Sequence, residues 1–183
     1  NFFKRKTKKT IVIQDGCYGL RYIEEQKKIF QNTKFIIVVR NPLDVYCDLK
    51  KIREKFKRFR RNIHDICHVE NLKTNVKNLN YFKLNEVYES YKNENNFFFI
   101  KYEELVNEPK KIMENLSSFL GIAYSDSLLQ PTVLGKAWLD NSADFKRNKN
   151  ISNDQVDKYK SVLNENEIIY ITYFNQKFYK NFN

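Results

Sequence analysis

Arg40 stands between an apolar run, FIIVV, and a pair of residues that favours the start of a helix. Asn41 is a good N-cap and Pro42 suits the first helical position, so the pattern predicts a strand, then Arg40, then a helix. A guanidinium beside the free N–H groups of a helix N-terminus forms an anion-binding arrangement. The alternative from the same pattern is an arginine that pairs with a nearby carboxylate at a surface turn.

The elements that position Arg40 follow an α/β pattern. FIIVV at 35–39 and FFFI at 97–100 are continuous apolar runs, which are typical of parallel strands buried on both faces. A short β-branched run at 10–13 predicts another strand, and apolar spacing over 20–30 predicts a helix after it. We therefore predict a β-α-β unit and a parallel central sheet flanked by helices.

Further helices are predicted from capping residues and apolar stripes. One begins at the Asn41 cap and runs to about Phe59, and another begins at Pro109 and stops at Gly121. The others are predicted over 84–91, 153–163 and 165–178. Residues 62–80 and 123–150 lack clear periodicity, and no internal repeat or Pro/Gly/Ser linker divides the chain. We expect a single domain over residues 1–183.

The composition limits the partners without identifying one. The 33 Lys and Arg against 22 Asp and Glu give a net charge of +11, which favours anionic partners such as nucleotides, sulfated glycans, nucleic acid or an acidic membrane surface. The three cysteines form no CxxC pair, which favours a reducing compartment such as the cytoplasm. No apolar run approaches the ~20 residues that span a bilayer, and the N-terminal residues do not resemble a signal peptide.

The segment FIIVVRNPLDVYCDL resembles the part of PAPS-dependent sulfotransferases that holds the 3′-phosphate of the nucleotide. The matching residues are Arg40, Asn41, Pro42, Asp44 and Val45. Where the family commonly has a serine eight residues after the arginine, this chain has Asp48, and an ionised carboxylate repels phosphate. Either Asp48 turns away, other groups hold the phosphate, or this member binds the nucleotide weakly.

A second segment, FFFIKYEELVNEPKKIMENLSSFLGI, resembles the family in spacing as well as in residue type. The family pattern there is a strand, YE-[DE]-L, a short helix, and a helix that begins at proline and ends in FLGI. In related enzymes the tyrosine of this motif lies against the adenine, which implies that role for Tyr102. The alternative is an aromatic side chain packed at the end of a strand.

A third segment, PTVLGKAWLDNSADF, resembles a stretch late in the more bacterial-like branches of the family. Asn141 and Ser142 would donate hydrogen bonds to a phosphate there, and Lys146 and Arg147 would add positive charge. The alternative is a surface loop that Trp138 anchors to the core.

A fourth segment, IVIQDGCYGL, occupies the place where relatives often have a strand that ends in Lys-Thr-Pro, Lys-Asp-Pro or Lys-Thr-His beside the reaction centre. Gln14 stands where that lysine would neutralise charge on the transferred group. Asp15 remains as a candidate general base for the acceptor. The alternative is that Asp15 forms a turn before Gly16.

The resemblance implies a P-loop-type sulfotransferase fold that here lacks its N-terminal phosphate loop. The four glycines, Gly16, Gly19, Gly121 and Gly135, form no glycine-rich phosphate loop. Because VVRNP normally follows that loop by a long interval, we expect that the N-terminal third of the domain is missing and that the resemblance covers about residues 9–180.

The function that the resemblance implies is transfer of a sulfuryl group from 3′-phosphoadenylyl sulfate to a hydroxyl or amine acceptor, possible anions included, without a metal. His64, Cys67 and His68 lie at helical spacing, but no second cluster supplies further metal ligands. The first alternative is a relative that kept the fold and lost the chemistry, which Gln14 and Asp48 favour. The second is a nucleic-acid-binding module built on the basic helix over 50–61, although the predicted elements match no common DNA or RNA module.

Overall fold

The computed structural model describes residues 12, 19–30, 32–59, 81–130, 132–133, 136–137 and 151–182 of the chain. At residues 52–59, 82, 133, 136 and 137 it describes the backbone alone. The strand predicted over 10–13 lies outside the described residues except for Val12. The β-α-β unit that would include it therefore stays a prediction.

The described sheet contains a parallel pair of strands, β1 (Phe35–Val39) and β2 (Phe97–Lys101). Phe35 lies opposite Phe97 and Val39 lies opposite Lys101, so both strands end at one edge of the sheet. We call this the carboxyl edge; Arg40 and Tyr102 are the first residues beyond it. The prediction of parallel strands is confirmed, although in the described part of the chain one face of β1 is exposed.

Three helices precede β2 in the described ranges. A 3₁₀ turn, Gly19–Arg21, leads into α1 (Ile23–Ile29), so the helix predicted over 20–30 is divided in two. The helix α2 (Pro42–Phe59) has the predicted bounds, and α3 (Tyr81–Tyr91) begins before the predicted position.

Two helices follow β2 directly. The helix α4 (Tyr102–Asn107) begins where the strand ends, and α5 (Pro109–Leu120) begins at the predicted proline. Gly121 ends α5 in the left-handed region with φ of 74°, a conformation that glycine adopts without steric cost. Phe119 of α5 packs against Phe98 of β2 with ring centroids 5.1 Å apart.

The C-terminal region differs from its prediction. After a 3₁₀ turn (Asp126–Leu129) and the short antiparallel strands β3 (Thr132–Val133) and β4 (Lys136–Ala137), the described chain resumes at 151. The helix predicted over 153–163 is wrong: only a 3₁₀ turn, Lys158–Ser161, forms there. Asp157 before it has a positive φ of 60°, which an α-helix does not allow.

The closing helix predicted over 165–178 is divided into α6 (Glu165–Phe174) and α7 (Gln176–Phe182). Asn175 lies between them and is buried, and its side-chain amide donates to the Ile171 carbonyl at 2.8 Å. A side chain that bonds back to the preceding turn competes with the helix ladder, so the chain bends at this residue.

Aromatic side chains from α3 and α7 cover one face of the sheet. Phe97 stacks on Phe35 at 4.6 Å and on Tyr91 at 4.3 Å, and Tyr88 meets Phe99 edge-on at 5.0 Å. We call this set the aromatic layer, formed by Phe35, Tyr88, Tyr91, Phe97, Phe99, Phe178 and Phe182. Because it packs directly beneath Val39 and Tyr81, the layer supports the carboxyl edge.

Among the described helices, none combines the length and the apolar character needed to cross a bilayer.

Candidate functional site

Arg40 leaves β1 at the carboxyl edge and is held there from both ends. The Tyr81 hydroxyl donates to the Arg40 carbonyl at 2.7 Å, which fixes the backbone. The guanidinium lies 4.8 Å from the ring centroid of Tyr102, a cation–π geometry. The two residues to which the resemblance assigned phosphate and adenine are therefore neighbours at one edge.

The N-terminus of α2 does not present the free amides expected from the sequence. The Asn41 N–H donates to Glu103 Oε1 at 2.8 Å, and the Leu43 N–H donates to Asn41 Oδ1 at 3.0 Å. The N–H groups of Asp44 and Val45 both donate to the Asn41 carbonyl at 3.1 Å. Pro42 carries no N–H. The prediction of a backbone anion site is wrong here, because protein groups already bind these amides.

Asp48 faces the site, which excludes the possibility that it turns away. Its carboxylate accepts from Arg40 Nη1 at 2.6 Å and from Lys158 Nζ at 3.0 Å. Burial disfavours the ionised form, but the hydrogen bonds from Lys158 and Arg40 prevail and lower the pKa of Asp48. The pairing of Arg40 with a carboxylate, the alternative drawn from the local pattern, is what the structure contains. We call Arg40, Asp48 and Lys158 the ion cluster.

Asp44 has a different task, although it lies one helical turn before Asp48. Its buried carboxylate accepts the N–H of Asp157 at 2.9 Å and the N–H of Tyr159 at 3.0 Å. Burial raises the pKa of Asp44, while the two backbone hydrogen bonds and Arg40 oppose that shift. Asp44 therefore fastens the residues on both sides of Lys158 to α2.

Arg40 also reaches the C-terminal segment. Its Nη2 donates to the Gln155 carbonyl at 3.0 Å. Its Nε is buried and has no hydrogen-bond partner among the described residues. One donor of the guanidinium therefore remains available at the site.

Four predicted site residues meet at the carboxyl edge: Arg40, Asn41, Asp48 and Tyr102. The other predicted site residues, Asp15, Asn141, Ser142, Lys146 and Arg147, lie outside the described residues, as does Gln14. Sequence reasoning missed Lys158, Gln155 and Glu103. Glu103 belongs to the recognised YEEL motif and was within reach, but Lys158 carries no local signal, since its partner lies 110 positions away.

The basic residues of α2 are described only in part. Lys50 donates to both oxygens of Glu167 at 2.9 Å, and Glu167 forms a capping box with Asn164 at the start of α6. Lys50 thus joins two helices. The side chains over 52–59 and the residues 60–61 are not described, so a role of this helix toward an acceptor or nucleic acid stays a prediction.

The described ranges contain no group of three His, Cys, Asp or Glu side chains that could hold a metal ion. His64, Cys67 and His68 fall outside those ranges.

Comparisons with known proteins agree with this architecture. A family model described as a sulfotransferase domain matches residues 22–177. The chain is similar to the solved sulfotransferase domain from the curacin biosynthetic pathway, with 20% identity, a TM-score of 0.58, and coverage of 87% of this chain and 59% of that one. It is also similar to the sulfotransferase domain from the Synechococcus PCC 7002 olefin synthase, with 23% identity, a TM-score of 0.58, and coverage of 85% and 54%.

At these identities the structural likeness establishes the fold alone, and the chain spans less than two thirds of either solved domain. No curated protein shows a significant sequence match. The family match, by contrast, covers most of the chain, including both strands, the ion cluster and Tyr102. This chain therefore belongs to the sulfotransferase domain family.

Proposed function

We propose that the protein transfers a sulfuryl group from 3′-phosphoadenylyl sulfate to a hydroxyl or amine acceptor, and that residues 1–183 form one partial domain. The observation that carries this proposal is the contact between Arg40 and Tyr102, 4.8 Å apart at the carboxyl edge. A 3′-phosphorylated adenine nucleotide has an anion for the guanidinium and an aromatic base for the tyrosine ring. Membership of the family supports the same substrate class.

The chain would act by placement and charge stabilisation, because the transferred group is already activated. The sulfur–oxygen bond to the nucleotide phosphate breaks as a new bond forms to the acceptor oxygen or nitrogen. The nucleotide leaves as adenosine 3′,5′-bisphosphate, and the acceptor proton passes to a base. Asp15 is the candidate base in this proposal, with Asn141, Ser142, Lys146 and Arg147 as further phosphate-binding candidates.

One observation favours the alternative of a relative that binds nucleotide without transferring the group. Asp48 already pairs with Arg40 at 2.6 Å, so part of the positive charge that would hold the 3′-phosphate is neutralised. Gln14, where relatives often have lysine, points the same way.

Calorimetric titration of the full-length protein with adenosine 3′,5′-bisphosphate tests binding. Arg40→Ala removes charge-assisted hydrogen bonds, so we expect the binding free energy to weaken by about 1.5–3 kcal/mol. Lys110→Ala is the control, because Lys110 is an exposed cation on α5, and its affinity should equal that of the parent. Equal affinities for Arg40→Ala and the parent would contradict the assignment of Arg40.

Transfer is tested separately by incubating the protein with 3′-phosphoadenylyl sulfate and a set of hydroxyl and amine acceptors. Acceptor-dependent release of adenosine 3′,5′-bisphosphate supports the enzyme. Nucleotide binding without such release supports the relative that has lost the chemistry.

A further inference from the structure

The ion cluster contains two cations but one carboxylate. We propose that Asp48 is an internal counter-ion that the 3′-phosphate of the nucleotide must displace, and that Lys158 is the second cation that then holds this phosphate. The inference rests on the proposed function, because it concerns the same nucleotide site. It assigns a binding role to Lys158 and a selective role to Asp48.

Asp48 is the member of the cluster best able to move. The exposed fraction of its side chain is 34%, against 21% for Arg40 and 13% for Lys158. A carboxylate that is already a third exposed regains water by a rotation of its own side chain, whereas the two cations are enclosed. Displacement of Asp48 therefore requires no movement of α2.

Lys158 stays in place when Asp48 leaves. Asp44 binds the N–H groups of Asp157 and Tyr159, the residues immediately before and after Lys158. The Lys158 ammonium also donates to Gln155 Oε1 at 2.5 Å. The backbone at Lys158 thus depends on Asp44 rather than on Asp48, and the lysine keeps its position beside Arg40.

Arg40 is likewise held without Asp48, through the Gln155 carbonyl and the Tyr102 ring. Its buried Nε has no partner among the described residues and offers the incoming anion a donor that Asp48 does not use. A phosphate monoester carries about −1.5 to −2 charge and three acceptor oxygens, whereas a carboxylate carries one charge and two oxygens. The exchange therefore favours the phosphate, yet the competing carboxylate weakens its net binding.

Asp48→Asn tests the counter-ion, because it removes the charge and keeps the shape. In calorimetric titrations of the full-length protein, we expect adenosine 3′,5′-bisphosphate to bind about tenfold more tightly to this variant, the scale of one charge-assisted hydrogen bond. Adenosine 5′-monophosphate, which lacks the 3′-phosphate, should bind the variant and the parent equally. Glu89→Gln is the matched control, since it neutralises a carboxylate paired with a lysine on α3.

Lys158→Met tests the second cation, because it keeps the length of the side chain and removes its charge. The bisphosphate should bind about tenfold more weakly, with little change for the monophosphate. Lys160→Met is the matched control: Lys160 lies in the same 3₁₀ turn but is exposed and paired with Asp157.

The outcomes separate three explanations. If Asp48 only stabilises the fold, Asp48→Asn will lower the unfolding temperature and will leave bisphosphate binding unchanged or weaker, which overturns the inference while the proposed function stands. If neither the parent nor any variant binds either nucleotide, the proposed function fails and the inference fails with it. Asp48→Ser serves as a second variant, and circular dichroism establishes that each variant is folded before it is titrated.

Discussion

The aromatic layer and the carboxyl edge belong to the same pair of strands, yet they are held together in different ways. In the layer, rings such as Phe97 and Tyr91 contact several neighbours, and no contact depends on a single partner atom. At the edge, each polar group has a specific partner: Asp44 has two backbone amides, and Asp48 has two cations. The layer therefore determines how stable the domain is, and the edge determines what it binds.

The largest expected effect comes from breaking the layer. Phe97→Ala removes a buried ring that stacks on both Phe35 and Tyr91, so we expect the free energy of unfolding to fall by about 3–5 kcal/mol. Urea denaturation measures the change. Tyr173→Ala, at an exposed tyrosine of α6, should change stability by less than about 0.5 kcal/mol. Similar losses for both variants would mean that the layer does not dominate stability.

A smaller effect is expected where the edge and the fold depend on one residue. Asp44→Asn replaces an oxygen that accepts a backbone N–H with an amide that donates, which leaves a buried donor unpaired. We expect a loss of about 1–3 kcal/mol in the free energy of unfolding, with faster hydrogen exchange at the amides of residues 157 and 159. Asp154→Asn, at an exposed position, serves as the control. Unchanged exchange at these two amides would contradict the fastening role of Asp44.

The smallest effect on stability is expected at Asp48, because its pair is partly exposed. Its pKa in the folded state is lowered, so its contribution is complete above the ordinary carboxyl pKa of 3.8 and is lost as the pH falls through the lower folded-state value. At neutral pH, Asp48→Asn should cost less than about 1 kcal/mol. The difference from the parent, measured by denaturation at several pH values, should shrink toward zero in acid. A difference that grows in acid would reverse the assigned sign.

The sequence predicts the elements of this chain better than it predicts their contacts. The apolar runs and the Asn-Pro cap gave β1, β2 and the bounds of α2, because buried strands and helix starts have local signatures. The helix expected over 153–163 does not form, since Asp44 binds the amides of Asp157 and Tyr159 that a helix ladder would need. No local pattern contains that competition.

The candidate site divides in the same way. Arg40 and Tyr102 follow from motifs at the ends of two strands, and parallel pairing brings those ends together. The expected free amides at Asn41 were wrong because Glu103, from the other strand end, binds the first of them. Lys158 depends on a tertiary contact across more than half the chain, which residue types and spacing do not encode.

The clasp between Asp44 and the segment around Lys158 also has a consequence for synthesis. Asp44 and Tyr159 are separated by 115 positions. Ribosomes add roughly 5–20 residues per second, so Asp44 emerges on the order of ten seconds before its partner. During that interval the nascent domain can assemble β1, α2 and β2, but the carboxylates of α2 must stay hydrated because their partners do not yet exist. The nucleotide pocket is therefore among the last parts of the molecule to be completed, and a chain released before residue 159 would carry a sheet without a working binding edge.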